Sequence, residues 1–151
     1  GSARLHDLEE ALALWTGEAL DEFSHEQWAE VEAARLDDLA RIANEDRSEL
    51  LIGLGRSAEA VSVLGAFVAA NPLRDRPHGL LLQALACEGR QADALRAYRS
   101  YRKLLAEETG TEPSRFVQAI ERRIASTHSD ERAEVIERLR TSGHWEIDVT
   151  R

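Results

Sequence analysis

The segments GRSAEAVSVLGAF (residues 55–67) and GRQADALRAYRSY (residues 89–101) align without a gap at an offset of 34 residues. The matched positions are Gly55 and Gly89, Arg56 and Arg90, Ala60 and Ala94, and Leu64 and Tyr98. A glycine after an apolar helix can take the left-handed conformation that ends the helix, and alanine lets paired helices approach closely. The repeat therefore predicts two copies of a helical hairpin.

A period of 34 residues is that of the tetratricopeptide repeat, in which units stack because one hairpin cannot bury its apolar face alone. Each copy has an apolar stripe at helical spacing. The stripes are Ala60, Leu64 and Phe67 in the first copy and Ala94, Tyr98, Tyr101 and Leu105 in the second. Asn71 and Pro72 end the first unit, and Pro77 suits the first turn of the next helix. The predicted fold is all-α, a tetratricopeptide-like helical repeat bundle.

Helices are also predicted before the repeat. Residues 5–15 have the pattern of a short amphipathic helix, and Ser24 is a suitable N-cap for a stretch that extends from His25 to Leu54. This stretch predicts one long helix, or two with a kink. Its apolar residues are separated by three residues, by four, or by a sum of such steps, as on one face of a helix. They are Trp28, Leu36, Leu39, Ala43, Leu50 and Leu54.

One further helix is predicted after the repeat. Gly110 ends the helix that begins near Gln91, and Pro113 opens another. One face of this last helix is marked by Phe116, Ala119, Ile120 and Ile124. We expect it to cap the repeat array, because terminal repeats are atypical.

The pattern of the chain changes after Thr127. Residues 130–140 resemble an amphipathic helix, whereas Trp145, Ile147 and Val149 alternate with acidic residues as in a strand. A single strand must pair with another segment or stay disordered. The predicted organisation is a cloning scar at residues 1–2, the repeat domain at residues 3–127, and a linker or the start of a truncated downstream domain at residues 128–151.

Charge is distributed unevenly along the chain. The net charge is −9, with 5 basic and 15 acidic residues in the first 73 positions and 14 basic and 13 acidic residues in the rest. An acidic half would be repelled by phosphate groups, so strong unaided binding to nucleic acid is not expected. Cys87 is the only cysteine, which suits a reducing cytoplasm, and we expect a small buried side chain near a helix end.

No residue pattern indicates catalysis, a cofactor or a metal. The nine glycines are scattered and none precedes a Lys-Ser or Lys-Thr pair, so no phosphate-binding loop is present. The five histidines never occur four residues apart or beside the cysteine, as metal ligands often do. The many carboxylates are better explained by solvated helix faces than by a catalytic pair. We therefore predict that the chain is not an enzyme.

Two charged groups are candidate interaction sites. The repeat frame places Glu45, Asp46 and Glu49 beside Arg76 and Gln83 of the next unit, where they could form a groove for a basic or extended peptide. The alternative for this first group is an ordinary solvated face, on which Glu45 and Glu49 would repel each other.

The second group is basic and lies on the second helix of the next unit. Its members are Arg96, Arg99, Arg102 and Lys103. They could contact phosphates beside a DNA-bound domain, or the acidic half of a second protomer. A solvated helix face is again the alternative.

Several segments carry a family resemblance. They are PLRDRPH at residues 72–78, GRQADAL at residues 89–95, Tyr98, Arg102, Leu105 and ETGTEP at residues 108–113, with LWTG at residues 14–17 and WAEVEAARL at residues 28–36. Together they resemble the bacterial transcriptional activation domain of the Streptomyces antibiotic regulatory protein family, over about residues 5–127. The sequence departs from that pattern at Thr109, where the family usually has leucine, and at Cys87, where an aromatic residue is common.

The resemblance implies a helical module that follows a winged-helix DNA-binding domain and helps it to dimerise and activate transcription. We therefore expect a non-catalytic regulatory and oligomerisation module of a bacterial transcriptional regulator. Its partners would be proteins, either a second copy of itself or other domains of the parent chain. DNA would be contacted only indirectly through the winged helix, and no membrane partner is expected. The alternative function is a sensor or scaffold module of a larger signalling ATPase.

Overall fold

The computed structural model describes the backbone of residues 2–15 and 27–142, and the side chains of residues 2–10 and 28–142. Within these ranges the chain forms six helices and no strand, which confirms the all-α prediction. The helices are α1 (Ser2–Trp15), α2 (Gln27–Gly53), α3 (Ser57–Ala70), α4 (Asp75–Cys87), α5 (Gln91–Glu108) and α6 (Arg115–Ser142). The stretch predicted as one long helix or two is the single helix α2.

The repeat is visible in the hydrogen bonds that end α2 and α4. Gly55 and Gly89 have positive φ angles of +76° and +74°. In the first copy the amide of Arg56 donates to the carbonyl of Leu51 at 2.8 Å, and the amide of Gly55 donates to that of Ile52 at 3.1 Å. The same two bonds recur 34 positions later at 2.8 and 3.0 Å. Each copy thus ends its first helix with a Schellman motif, as the two glycines predict.

The six helices pack as two hairpins with one helix added at each end. Helices α2 and α3 form the first hairpin and α4 and α5 the second, while α1 packs on α2 and α6 packs on α4 and α5. Helix α4 is central, because it contacts α2, α3, α5 and α6. This stacking is the one expected of tetratricopeptide-like units.

The core consists of two adjoining clusters. The cluster around α4, α5 and α6 contains Leu82, Leu85, Ala94, Tyr101, Leu105, Val117, Ile120 and Ile124. The cluster around α1 to α4 contains Leu5, Leu51, Ala60, Leu64, Leu80 and Ala84. Ala60 and Ala94 are fully buried, as their predicted role at the close approach of helices requires. A β-carbon on Gly79 would lie 2.5 Å from the ring of Phe116, so α4 and α6 also meet closely.

Several apolar residues of the predicted helix faces are exposed, and the predicted burial of Cys87 was wrong. Phe116 is 44% exposed and Ala119 is also exposed, because the buried face of α6 is formed by Val117, Ile120 and Ile124. In α2, Trp28 is 58% exposed and Leu54 beyond its end is exposed too. Spacing identifies one side of a helix but not whether another element covers it. Cys87 lies at the end of α4 as predicted, but it is exposed.

Helix α6 differs from its prediction in length. It runs without interruption from Arg115 to Ser142, so the helix expected at residues 130–140 is its final part. Its last buried side chain is Ile124, and the side chains of residues 129–142 are all exposed. The domain boundary at residue 127 stays a prediction. The predicted cap at Ser24 and the strand at residues 145–149 lie outside the described residues.

Candidate functional site

The acidic group on α2 meets the start of α4. The guanidinium of Arg76 lies 2.9 Å from Asp46, 2.7 Å from Glu49 and 3.6 Å from Glu45. Although burial lowers the pKa of Arg76, its hydrogen bonds with Asp46 and Glu49 raise it, and the net change is an increase. Four of the five residues predicted for this group are therefore in one ion-pair network.

Arg74, which the sequence prediction missed, completes this network. Its guanidinium pairs with Glu45, whose side chain is 2% exposed, and lies 3.0 Å from Asp38. The hydrogen bond with Glu45 raises the pKa of Arg74. The residue precedes α4, and no local pattern shows that its side chain reaches back to α2. Because the carboxylates are already paired with Arg74 and Arg76, a basic peptide would have to compete with both arginines.

The fifth predicted residue, Gln83, belongs to a different surface. It lines a groove of about 440 Å³ between α2, α4, the start of α5 and α6. Ile52, Ile120 and Ile124 supply the apolar part of the groove, and Arg123 is on its α6 side. A volume of this size lies within the usual range of ligand sites. The structure therefore separates the network on α2 from a mostly apolar groove.

The basic group on α5 is largely neutralised by nearby carboxylates. Arg96 pairs with Asp93, Arg102 lies 3.1 Å from Glu112, and Lys103 lies 4.0 Å from Glu107. These pairs are exposed, so each contributes little to stability. Arg99 is exposed and has no ion-pair partner among the described side chains. It is the member of the group most available to a partner molecule.

A polar cluster at the junction of α4, α5 and α6 also escaped prediction. The Tyr101 hydroxyl donates to Asp75 at 2.8 Å, and the amide of Ser114 donates to the same carboxylate at 3.2 Å. His78 stacks on Tyr101 with ring centroids 3.7 Å apart. Burial and the bond to Asp75 raise the pKa of Tyr101 well above its ordinary value. These contacts position helices and contain no pair arranged for catalysis.

The described residues contain neither a cluster of metal-ligating side chains nor a membrane-spanning helix. No group of three or more His, Cys, Asp or Glu side chains in residues 2–10 and 28–142 is arranged to hold a metal ion. Within the same part of the chain, no helix combines the length and apolarity needed to cross a membrane.

Comparison with known proteins identifies the family. The profile of the bacterial transcriptional activator domain matches residues 2–125. Regulatory protein AfsR of Streptomyces griseus is 41% identical over 117 residues, which cover 78% of this chain and 12% of AfsR. Transcriptional regulator RedD of Streptomyces coelicolor is 36% identical over 111 residues, or 74% of this chain and 32% of RedD. The chain thus spans less than half the length of either relative.

A solved structure agrees with these matches. Mycobacterium tuberculosis EmbR, in a complex with a low affinity phosphopeptide, superimposes with a TM-score of 0.77 and 30% sequence identity. The match covers 82% of this chain and 32% of the EmbR chain. The helical-repeat fold is therefore shared with a transcriptional regulator. The chain belongs to the bacterial transcriptional activator domain family, the helical-repeat domain of the Streptomyces antibiotic regulatory proteins.

Proposed function

We propose that this chain is a non-catalytic module of a bacterial transcriptional regulator, in which it supplies self-association and protein contacts while another domain reads DNA. The observation that carries the proposal is the match of residues 2–125 to the activator domain, together with the AfsR and RedD relatives. A module of this kind would act in the cytoplasm, where the regulator meets its promoter.

The distribution of charge favours a protein partner over direct contact with DNA. The first 73 residues have a net charge of −10, and three of the four predicted basic residues on α5 are paired with acidic neighbours. Affinity for nucleic acid comes mainly from cationic side chains that neutralise phosphates. The solved EmbR structure contains a phosphopeptide, which supports protein segments as partners of such regulators. We therefore assign sequence reading to a winged-helix domain of the parent.

The first test measures DNA binding and mass. We expect this chain alone to leave promoter DNA unshifted in an electrophoretic assay at physiological salt, and the intact parent to shift it. Light scattering should give a mass near twice the 16.9 kDa of one chain at high concentration. A shift by the chain alone would contradict the division of labour proposed between the two domains. A mass of one chain at every concentration would contradict self-association.

The second test uses Arg99, the unpaired member of the basic group. In the intact parent, Arg99→Glu should weaken either DNA affinity or dimerisation, because it reverses an exposed charge that is not already neutralised. Arg115→Glu is the matched control, since Arg115 is also exposed, lies on α6 and gives the same change in net charge. If Arg99→Glu changes neither property, this basic group has neither proposed role.

The alternative function is a sensor or scaffold module of a larger signalling ATPase. The observation that favours it is that the match covers only 12% of AfsR, so a parent of similar size would contain much besides a DNA-binding domain. The flanking sequence of the parent separates the two possibilities. A winged helix upstream favours the regulator, and a phosphate-binding loop downstream favours the ATPase.

A further inference from the structure

The groove between α2, α4 and α6 combines an apolar surface with two half-buried carboxamides. Ile120 and Ile124 are part of the buried core, and Ile52 is half-buried. Gln83 and Gln91 also line the groove, and within the described residues neither carboxamide has a hydrogen-bond partner. An apolar surface beside free carboxamides can accept an extended peptide, whose backbone supplies donors and acceptors.

Arg123 gives this groove a positive charge. Its side chain is exposed and forms no ion pair with any described residue. Most other arginines on the facing helices are paired, as Arg74 and Arg76 show. A peptide with carboxylates and apolar side chains would therefore complement the groove in both charge and polarity.

We propose that the groove binds residues 143–151 of a second copy of the chain. This segment alternates Trp145, Ile147 and Val149 with Glu146 and Asp148. An extended chain places alternate side chains on opposite sides, so the apolar residues can face Ile52, Ile120 and Ile124 while the carboxylates point outward, where the exposed side chain of Arg123 at the α6 rim can pair with them. The inference rests on the self-association proposed above, and it names the contact that produces it.

The length of α6 keeps Trp145 and Ile147 out of the groove of their own copy. Thr127, at the near edge of the groove, is 15 residues before the end of α6, and a helix rises about 1.5 Å per residue, so the distance is about 22 Å. An extended chain covers at most about 3.5 Å per residue, so Trp145 reaches back only about 10 Å from Ser142 and Ile147 only about 17 Å. These two apolar residues can therefore enter the groove of another copy but not their own, and only Val149, at about 24 Å, reaches as far as the near edge. The exposed part of α6, residues 129–142, holds the segment away from its own groove and lets it reach the groove of a second copy.

Cys87 supplies a built-in reporter for this contact. It is the only cysteine of the chain, it is exposed and it lines the groove. The rate of alkylation of Cys87 in the full chain should fall as chain concentration rises through the dimerisation range seen by light scattering. At a low concentration where the chain is monomeric, a synthetic peptide of residues 143–151 should protect Cys87 in a saturable manner.

Two variants distinguish peptide binding in this groove from binding elsewhere on the surface. Arg123→Glu should weaken protection by the peptide by roughly tenfold or more, as expected from the loss of one charge-assisted hydrogen bond. Arg122→Glu is the matched control, because Arg122 is the exposed neighbour on α6 and does not line the groove. A peptide with Glu146 and Asp148 replaced by lysine should protect as poorly as the natural peptide does with Arg123→Glu.

Four results would overturn the inference. Peptide protection that is equal in the Arg123→Glu and Arg122→Glu variants would place the peptide elsewhere. Protection of Cys87 that does not depend on chain concentration would indicate occupation within one copy. Dimers in which Cys87 reacts as fast as in monomers would exclude this contact while leaving the proposed self-association intact. A chain that stays monomeric while the peptide still binds would instead contradict self-association and the second copy together.

Discussion

Asp75 accepts hydrogen bonds from distant parts of the chain. Its carboxylate receives the Tyr101 hydroxyl and both the amide and the hydroxyl of Ser114. One side chain in the first turn of α4 thus links α5 and the turn before α6. The sequence could not predict this cluster, because Tyr101 and Ser114 are 26 and 39 residues away and nothing local distinguishes Asp75 from other acidic residues.

His78, beside this cluster, should make stability depend on pH. Burial lowers the pKa of His78 from its ordinary value of 6.5, and this outweighs the hydrogen bond with the Pro72 carbonyl and the charge of Asp75, which raise it. As pH falls, the unfolded chain therefore takes up the proton first, and the folded state loses stability below about pH 6.5. Urea unfolding at a series of pH values from 7.5 to about 5 measures this loss.

The variant His78→Gln tests this prediction, because it should flatten the dependence of unfolding free energy on pH. An unchanged slope in His78→Gln would show that some other group causes the loss of stability at low pH.

At the scale of helices, the repeat was predictable and the covered faces were not. The conformation of Gly55 and Gly89 depends mainly on the residue itself, so both helix ends could be located from the sequence. Which side of α2 is buried depends on where α1, α3 and α4 lie, and Trp28 shows that a periodic apolar residue can stay more than half exposed. The helix at residues 130–140 was predicted, but its continuity with the helix that begins at Arg115 was missed, because the polar residues 126–129 between them continue no apolar pattern.

Replacing either repeat glycine by alanine tests the local part of this account. Gly55→Ala and Gly89→Ala should each lower the unfolding free energy by about 1–2 kcal/mol, because both positions have a positive φ angle that disfavours a β-carbon. Among the described residues, no atom lies within 4 Å of the added β-carbon, so the cost comes from the backbone alone. Chemical denaturation measures it.

Gly65→Ala is the matched control for these substitutions. Gly65 lies inside α3, and its added β-carbon would also have no described atom within 4 Å. Because its φ angle is not positive, this change should instead stabilise the fold by up to about 1 kcal/mol. Equal losses at all three positions would mean that the helix ends do not depend on the glycine conformation.

At the scale of the whole molecule, the network between α2 and α4 joins the two hairpins through charge. The repeat frame correctly brought Arg76 to Glu45, Asp46 and Glu49. It failed for Gln83, which is seven residues after Arg76 and therefore about 10 Å further along α4, beside the groove. A repeat frame predicts which helices face each other better than it predicts how far a surface extends along them.

Removing Arg74 should weaken the association of the two hairpins. Arg74→Ala leaves the buried Glu45 carboxylate with only Arg76, at 3.6 Å, so we expect a loss of about 2 kcal/mol in the free energy of unfolding. Arg56→Ala is the control, because it breaks an exposed pair between the N-cap residue of α3 and Glu59 in its first turn and should cost less than about 1 kcal/mol. Similar losses from the two changes would contradict a structural role for the buried carboxylate.

The length of the exposed part of α6 also determines the side of the bundle on which this helix ends. Each residue of an α-helix turns the chain by about 100°, so a single insertion between Ile124 and Ser142 would turn the end of α6 to another side of the bundle. Seven added residues would nearly restore the original direction while moving that end about 10 Å outward. The side of the bundle on which α6 ends is therefore fixed by the number of residues in its exposed part, and it can be changed without altering any residue of the core.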